Sequence, residues 1–452
     1  MTRSLALRVA AALVALLGHA LLGHAPLRGQ EPAPLLTLDA ALTLAQQQNR
    51  VLKAERLGAD KADQQLAAFR TQKRPLFDVR VTSGSLLAPL DFRFPAGAFG
   101  VFPTTGPIPP AQTTITTNPG LTAVVFANVT QPLTQLPRLG RGERAVALGR
   151  DVATEQARAR ELEVIANVRS LYYGIVQAEA AMRARHESVR LFQELQRLTD
   201  RYVAEQVVLP DEALTVRAGL LQQEHEILVL RHAATDAREK LNALLARALD
   251  EPFQVEPLRP AAMDDTSLRA AEERAGEARP EVRIRRLQAE QAGFDLRASA
   301  TPGMPDVSAS FSYAGFWGFQ VLPRHGAMLG VLAAWEPWDW GRRKAEREGK
   351  RVTLAQAELA VTEAAALVRV DVRSRFRAVQ EAFARLPVCE AGRDAARERL
   401  RVATARVSQE AALERAVLEA QTRVAQADFD CQKALADYWT AQAELERARA
   451  DQ

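Results

Sequence analysis

The run Val361-Thr362-Glu363-Ala364-Ala365-Ala366-Leu367-Val368-Arg369-Val370-Asp371-Val372-Arg373-Ser374-Arg375-Phe376 places apolar side chains at 361, 365, 368, 372 and 376, the three-and-four spacing of a helix. The rhythm continues through Val379 and Phe383, then Leu413, Val417, Ala420, Val424 and Ala427. The whole stretch from Gly341 to Ala450 is rich in Ala, Arg, Glu, Leu and Val, with Pro387 as its one proline and, past its first residues, two glycines. With so few breakers the spacing predicts long helices. One soft spot, Ser408-Gln409-Glu410-Ala411-Ala412, predicts a reversal between two antiparallel helices. A helix of roughly 65 residues at about 1.5 Å per residue spans on the order of 100 Å, several times the apolar thickness of a membrane.

An earlier stretch repeats this one. Val168-Arg169-Ser170 returns as Val372-Arg373-Ser374, an offset of 204 (372 − 168). Leu214 and Leu418, and Leu241 and Leu445, keep the same offset. The first hairpin is expected from about Leu136 to Leu249, turning between Glu205 and Asp211. The short helices ahead of each hairpin also match: Arg50-Val51-Leu52 aligns with Pro280-Glu281-Val282 and Pro75 with Pro305, an offset of 230 (305 − 75). About 26 extra residues (230 − 204) therefore lie in the first half, between Pro75 and its hairpin. Such self-similarity marks a tandem duplication.

Between the short helices and each hairpin the period changes from 3.6 to 2. Phe77, Val79 and Val81 alternate with Asp78, Arg80 and Thr82, and Leu121, Ala123, Val125, Ala127 and Val129 form a second alternating run. In the second half Val307, Ala309, Phe311 and Tyr313 alternate with three serines, followed by a returning strand, about Ala327 to Trp335. The intervening Ala88–Pro119, rich in Pro, Gly and Thr, reads as one long loop. The expected division is thus 1–30 signal peptide; 31–265 first repeat, with strands about 76–86 and 119–130 and hairpin 136–249; and 266–452 second repeat, with strands about 306–316 and 327–336 and hairpin 341–450.

Arg3 and Arg8 precede the apolar run Val9–Leu22, and small residues follow it, the form of a secretory signal peptide. Nowhere else do about 18 apolar residues follow one another, so an exported chain that spans a membrane must do so with strands. Four of the five tryptophans, Trp317, Trp335, Trp338 and Trp340, fall at the edges of the second strand pair, where membrane barrels carry interfacial aromatics. Four strands are too few to close a barrel, so several chains would pool them; a 12-stranded trimer leaves a wider lumen than an 8-stranded dimer. Cys389 and Cys431 lie equidistant from the proposed second turn. A disulfide between them is one reading, and two small helix-packing residues the other.

The formal net charge of +4, from 59 Lys+Arg against 55 Asp+Glu, comes without a separate basic block, which gives nucleic-acid binding no support. His186, His225, His232 and His325 stand apart from any Cys pair, and no HExxH, CxxC, P-loop, G-x-S-x-G or G-x-G-x-x-G pattern is present. No enzyme, cofactor or metal site is expected.

The order helix, strand, strand, long hairpin, given twice after a signal peptide, resembles the TolC family of outer-membrane channels. Local patterns carry the likeness: Leu38-Asp39-Ala40-Ala41-Leu42 through Asn49, Gln131-Pro132-Leu133, Asn242-Ala243-Leu244-Leu245, Val417-Leu418-Glu419-Ala420-Gln421, and Trp338-Asp339-Trp340-Gly341-Arg342-Arg343. The resemblance implies a mainly α fold with a small membrane β-barrel portion. A homotrimer would build a 12-stranded barrel in outer-membrane lipid, continuing into an α-helical barrel in the periplasm of a Gram-negative-type cell. It further implies a passive duct for efflux or type I secretion, docked to a periplasmic adaptor protein and an inner-membrane transporter. The family's tip glycines are absent: Glu205 stands where the first is expected, and Gln409–Ala412 contains none. By the same resemblance Glu419 and Glu212 are candidates for a tunnel constriction. Arg201, Tyr202, Glu205, Asp211, Glu410 and Arg415 are candidates for gate or adaptor contacts. The competing reading for each is a solvated helix-end charge. The alternative function is a periplasmic adaptor, but adaptors carry one hairpin flanked by small β domains, whereas two are expected here.

Overall fold

Two helical hairpins make up about half of the described residues, and a small sheet and two short helix pairs make up most of the rest of them. The computed structural model describes residues 34–207, 209–259, 267–299, 304–319, 321–408 and 414–451. The expected signal peptide and the second turn, with Glu410, lie outside the described residues. In the first half, strand β1 (Leu35–Leu36) leads to helices α1 (Leu38–Gln48) and α2 (Arg50–Thr71), then β2 (Leu76–Leu86) and β7 (Gly120–Pro132). The first hairpin is α3 (Leu136–Ala204) with α4 (Pro210–Leu244), and β8 (Gln254–Val255) follows. In the second half, α5 (Leu268–Ala278) and α6 (Pro280–Ser299) precede β9 (Asp306–Trp317), β10 (His325–Ala334) and the hairpin α7 (Arg342–Ser408) with α8 (Glu414–Arg449). Pro387 lies inside α7 without ending it. Among the described residues no helix is long and apolar enough to cross a membrane.

The region expected as one loop, Ala88–Pro119, is instead partly stranded. β3 (Leu90–Phe94) pairs antiparallel with β6 (Thr113–Thr117), and β4 (Val101–Phe102) with β5 (Gly106–Pro107). Leu90-Asp91-Phe92-Arg93-Phe94 alternates, and Thr113–Thr117 is a β-branched run, so the strand chemistry was present among the prolines. The Thr116 hydroxyl donates to Asp91 Oδ1 at 2.6 Å across this pair.

The duplication reaches individual hydrogen bonds. Thr37 caps α1 by accepting from Ala40 N–H at 3.2 Å, and Ser267, 230 residues on (267 − 37), caps α5 by accepting from Ala270 N–H at 3.3 Å. Fully buried Ala41 and Ala45 correspond to fully buried Ala271 and Ala275, and Leu52 to Val282, at the same offset. Val168 corresponds to Val372 and Leu241 to Leu445 at the 204 offset, all buried. Small residues at these points let a short helix approach a long one closely.

The described chain falls into two compact units. One is drawn from Met1–Asn49, Val164–Met263 and Val379–Ala443, the other from Arg50–Glu163, Asp264–Ala378 and Glu444–Gln452. In the first, Ala41 and Ala45 of α1 join Val164, Val168, Ile175, Leu241 and Leu245 in the core. Tyr172 ties β1 and the chain after β8 to it: its hydroxyl donates to Leu36 O at 3.0 Å and accepts from Glu256 N–H at 2.9 Å. Burial pushes that phenol's pKa up. In the corner after α1, Asn49 Nδ2 donates to Leu244 O at 2.9 Å, giving the end of α4 a donor it lacks internally.

In the second unit the equivalent corner residue is Arg279. Its side chain is 8% exposed, and Nη1 donates to Ala448 O at 3.2 Å, the carbonyl equivalent to that of Leu244. The guanidinium also holds Glu281 (2.9 and 3.0 Å) and Asp371 (2.9 Å). It thus fastens α5 and α6 to α7 and α8 at one point, beside the Ala271, Ala275, Val282, Val368, Val372 and Ala448 core. Burial pushes the Asp371 carboxyl up, but the Arg279 bond, with Arg375 and Arg447, outweighs it and holds the group below the ordinary aspartate range.

Replacing Arg279 by Met removes the donor to Glu281 and the Ala448 carbonyl and leaves Asp371 with Arg375 alone as donor. The expected loss is about 3 kcal/mol of stability, read as a lower melting midpoint of the purified protein. Because the folded Asp371 pKa is depressed, its contribution is present above the unfolded value and lost as pH falls through the folded one. Asp371→Asn is therefore expected to melt below wild type at neutral pH, with the difference closing below about pH 4; a constant difference over pH would refute the assignment.

Candidate functional site

Antiparallel pairing orders the four main strands β10-β9-β7-β2 in one sheet. Directly paired residues share a face, so the register sorts the side chains. Leu329, Phe311, Val129 and Phe77 form one row, and Ala327, Tyr313, Ala127 and Val79 the next, all on one face. The other face carries Met328, Ser312, Asn128 and Asp78, then Gly330, Ser310, Thr130 and Leu76. One side is therefore oily and the other mostly polar. The polar side has an aromatic exception that alternation alone did not mark, an edge-to-face contact of Phe126 and Phe316 at 6.0 Å. On the oily side Phe77 is 72% exposed and Leu329 81%.

The outer strands β2 and β10 each present an open row of backbone N–H and C=O groups. At about 3.3 Å per residue and a tilt near 45°, a strand like β9 rises roughly 25–30 Å, close to the apolar thickness of a bilayer. The four tryptophans stand at both ends of the β9–β10 pair. Trp317 ends β9 next to the turn, while Trp335 follows β10 directly and Trp338 and Trp340 lie in the connection to α7. All four are exposed. At the turn, Gly318 has φ +84°, and a Cβ there would come within 2.4 Å of the Leu121 carbonyl oxygen, so glycine is required twice over.

The Trp338–Arg343 pattern is a helix cap. Trp340 and Gly341 both have positive φ, 52° and 87°, which turns the chain sharply. The Asp339 carboxylate then accepts from Gly341 N–H and Arg343 N–H, each at 3.1 Å, starting α7. Those backbone bonds, that of Arg343 first, hold its pKa below the usual aspartate range.

At the far end of the first hairpin, α3 closes without glycine. Gln206 takes the left-handed conformation, φ 58°, with Gln206 N–H donating to Val203 O (3.1 Å) and Val207 N–H to Tyr202 O (2.8 Å). This is a Schellman closure, and the left-handed place falls on Gln206, one residue after Glu205. The same pair of bonds recurs after α4, with Ala246 at φ 56°, and after α8, with Ala450 at φ 57°. Sequence reasoning missed all three because no glycine marks them.

Arg201 and Tyr202 lie in the last turn of α3, Glu205 in the closure, and Asp211 and Glu212 in the first turn of α4. The structure thus brings five of the candidates to one hairpin end. Glu419 lies in α8 near its start and is exposed, next to buried Ala420; Arg415 is in the first turn of the same helix. Cys389 and Cys431 are unbonded thiols, the first half-buried and the second buried. Among the described residues no group of three or more His, Cys, Asp or Glu side chains is arranged to hold a metal.

Gln206→Gly removes the left-handed strain of an L-residue. It is expected to stabilise the turn by up to about 1 kcal/mol, seen as slower amide exchange at Gln206 and Val207; faster exchange there would refute the closure.

No protein-family model matches the sequence, and no curated protein matches it. Solved structures do. A membrane protein from Pseudomonas aeruginosa superposes with a TM-score of 0.75 at 17% identity, over 92% of this chain and 90% of that one. The outer membrane protein VceC of Vibrio cholerae gives 0.73 at 13% identity, over 92% and 96%. The outer membrane channel CmeC of Campylobacter jejuni gives 0.72 at 16% identity, over 91% and 85%. At such identities the likeness is one of fold, and it extends over nearly the whole chain: the fold is that of the TolC-type outer-membrane channels.

Proposed function

We propose that this chain is the outer-membrane channel of a tripartite efflux or type I secretion system. The observation that carries the proposal is the four-stranded sheet, oily on one face, polar on the other and open at both edges. An open edge cannot rest in hydrocarbon, because each unpaired backbone group there costs several kcal/mol. Three copies pairing β10 of one with β2 of the next close a 12-stranded barrel, with the oily face on outer-membrane lipid and the polar face on a water-filled lumen. Trp317 on one side and Trp335, Trp338 and Trp340 on the other sit at the two interfaces. The hairpins extend into the periplasm, and their ends meet a periplasmic adaptor protein coupled to an inner-membrane transporter, which supplies the energy. Arg201, Tyr202, Glu205, Asp211, Glu410 and Arg415 form the docking and gating end. Glu419 and Glu212 line its narrowest part, where a ring of carboxylates favours cations.

Purified protein in planar bilayers is expected to conduct, with a cation preference that Glu419→Gln reduces. Its detergent-corrected mass should be three times that of one chain. A monomer without conductance would refute the channel, and unchanged selectivity in Glu419→Gln would refute the ring.

A further inference from the structure

We propose that Cys389 and Cys431 are an oxidation site that closes, after export, into a disulfide joining the two helices of the second hairpin. Contacts across the hairpin bracket the pair: the Phe383 and Tyr438 rings lie 5.8 Å apart on one side, and Arg397 donates to Asp428 at 3.4 Å on the other, which sets Cys431, 8% exposed, opposite Cys389. Cys389 donates to Leu386 O of its own helix at 3.1 Å. Burial first, and then Cys389, push the Cys431 pKa up to about 12. Helices normally pack 8–10 Å apart, too far for the roughly 5.5 Å between Cα atoms of a disulfide. Here small buried residues on both helices, Ala396, Ala420 and Ala434, allow closer approach.

The first hairpin supplies an independent observation. The 204 offset carries Cys389 to Arg185 and Cys431 to Ile227. Arg185 bridges that hairpin at the same level, to Glu226 at 3.0 Å and to Gln223 at 3.2 Å. The first hairpin is thus crossed by an ion pair at the height where the second has its two cysteines. Pro387, two residues before Cys389, has no N–H for the helix ladder, so α7 is locally weak beside the cross-link.

The unequal burial sets the order of steps. The Cys389 thiolate attacks one sulfur of a disulfide-bearing dithiol oxidant of the exported compartment, forming a mixed disulfide and releasing one oxidant thiolate. The Cys431 thiolate then attacks Cys389 Sγ and releases the second. Both cysteines lose a proton, and their two electrons reduce the oxidant's disulfide to a dithiol. The inference needs export and not conduction, so it stands or falls apart from the channel.

The test is alkylation of protein isolated from the cell envelope, in denaturant, before and after reduction. Neither cysteine should be modified before reduction and both after it, with the two cysteine peptides linked in the unreduced digest. Modification of either without reduction, or a link between two chains on a non-reducing gel, would overturn the proposal. Reductant should also lower the melting midpoint of wild type to that of Cys389→Ala and leave the variant unmoved; an equal response in both would overturn it as well.

Discussion

A backbone N–H or C=O group taken out of water must be given a partner, and this structure follows from where those partners are found. Along the hairpins the helix ladder supplies them. At three helix ends the chain itself does, by turning left-handed at Gln206, Ala246 and Ala450. At two corners a side chain does, Asn49 for the carbonyl of Leu244 and Arg279 for that of Ala448. At the outer edges of β2 and β10 the strand order offers no partner among the described residues, and the proposed trimer would supply one from the next copy.

The two halves answer the same demands with different chemistry. Asn49 is neutral and meets a carbonyl; Arg279 is charged and brings Glu281 and Asp371 with it. The first hairpin is crossed by Arg185 and Glu226 where the second has two cysteines. Buried apolar positions changed least, as Val168 and Val372 or Leu241 and Leu445 illustrate, since a close-packed core resists changes of volume. The polar fastenings, set at the margins of that core, were free to diverge so long as each orphaned group kept a partner.

This difference explains what the sequence revealed. Long helices and paired strands impose a period on many residues, so the hairpins, the main strands and the 204-residue echo could be read directly. The oily and polar faces of the sheet followed from alternation at Phe77–Val81 and Val307–Tyr313. The strands β3 to β6 were hidden by the prolines and glycines around them, although Thr113–Thr117 carried a β-branched signal. A left-handed helix end leaves no trace when glycine does not occupy it, and Arg279 is one arginine among many until its carbonyl is seen. Of the site candidates, the sequence brought five to one hairpin end because a turn gathers neighbours; the two cysteines were readable only as symmetry about a turn.

The pairing of β7 with β9 has a kinetic side. It joins the first half of the chain to the second, and β9 also supports β10, so the middle of the sheet rests on contacts between residues very distant in sequence. Contacts of that separation form late, because a long loop must close before they give anything in return. Until β9 is made, β7 has β2 on one side and an unpaired edge on the other. Until then the first half is an unfinished sheet with oily residues in water, the condition under which chains aggregate. Its life before assembly depends on being shielded until the second half arrives.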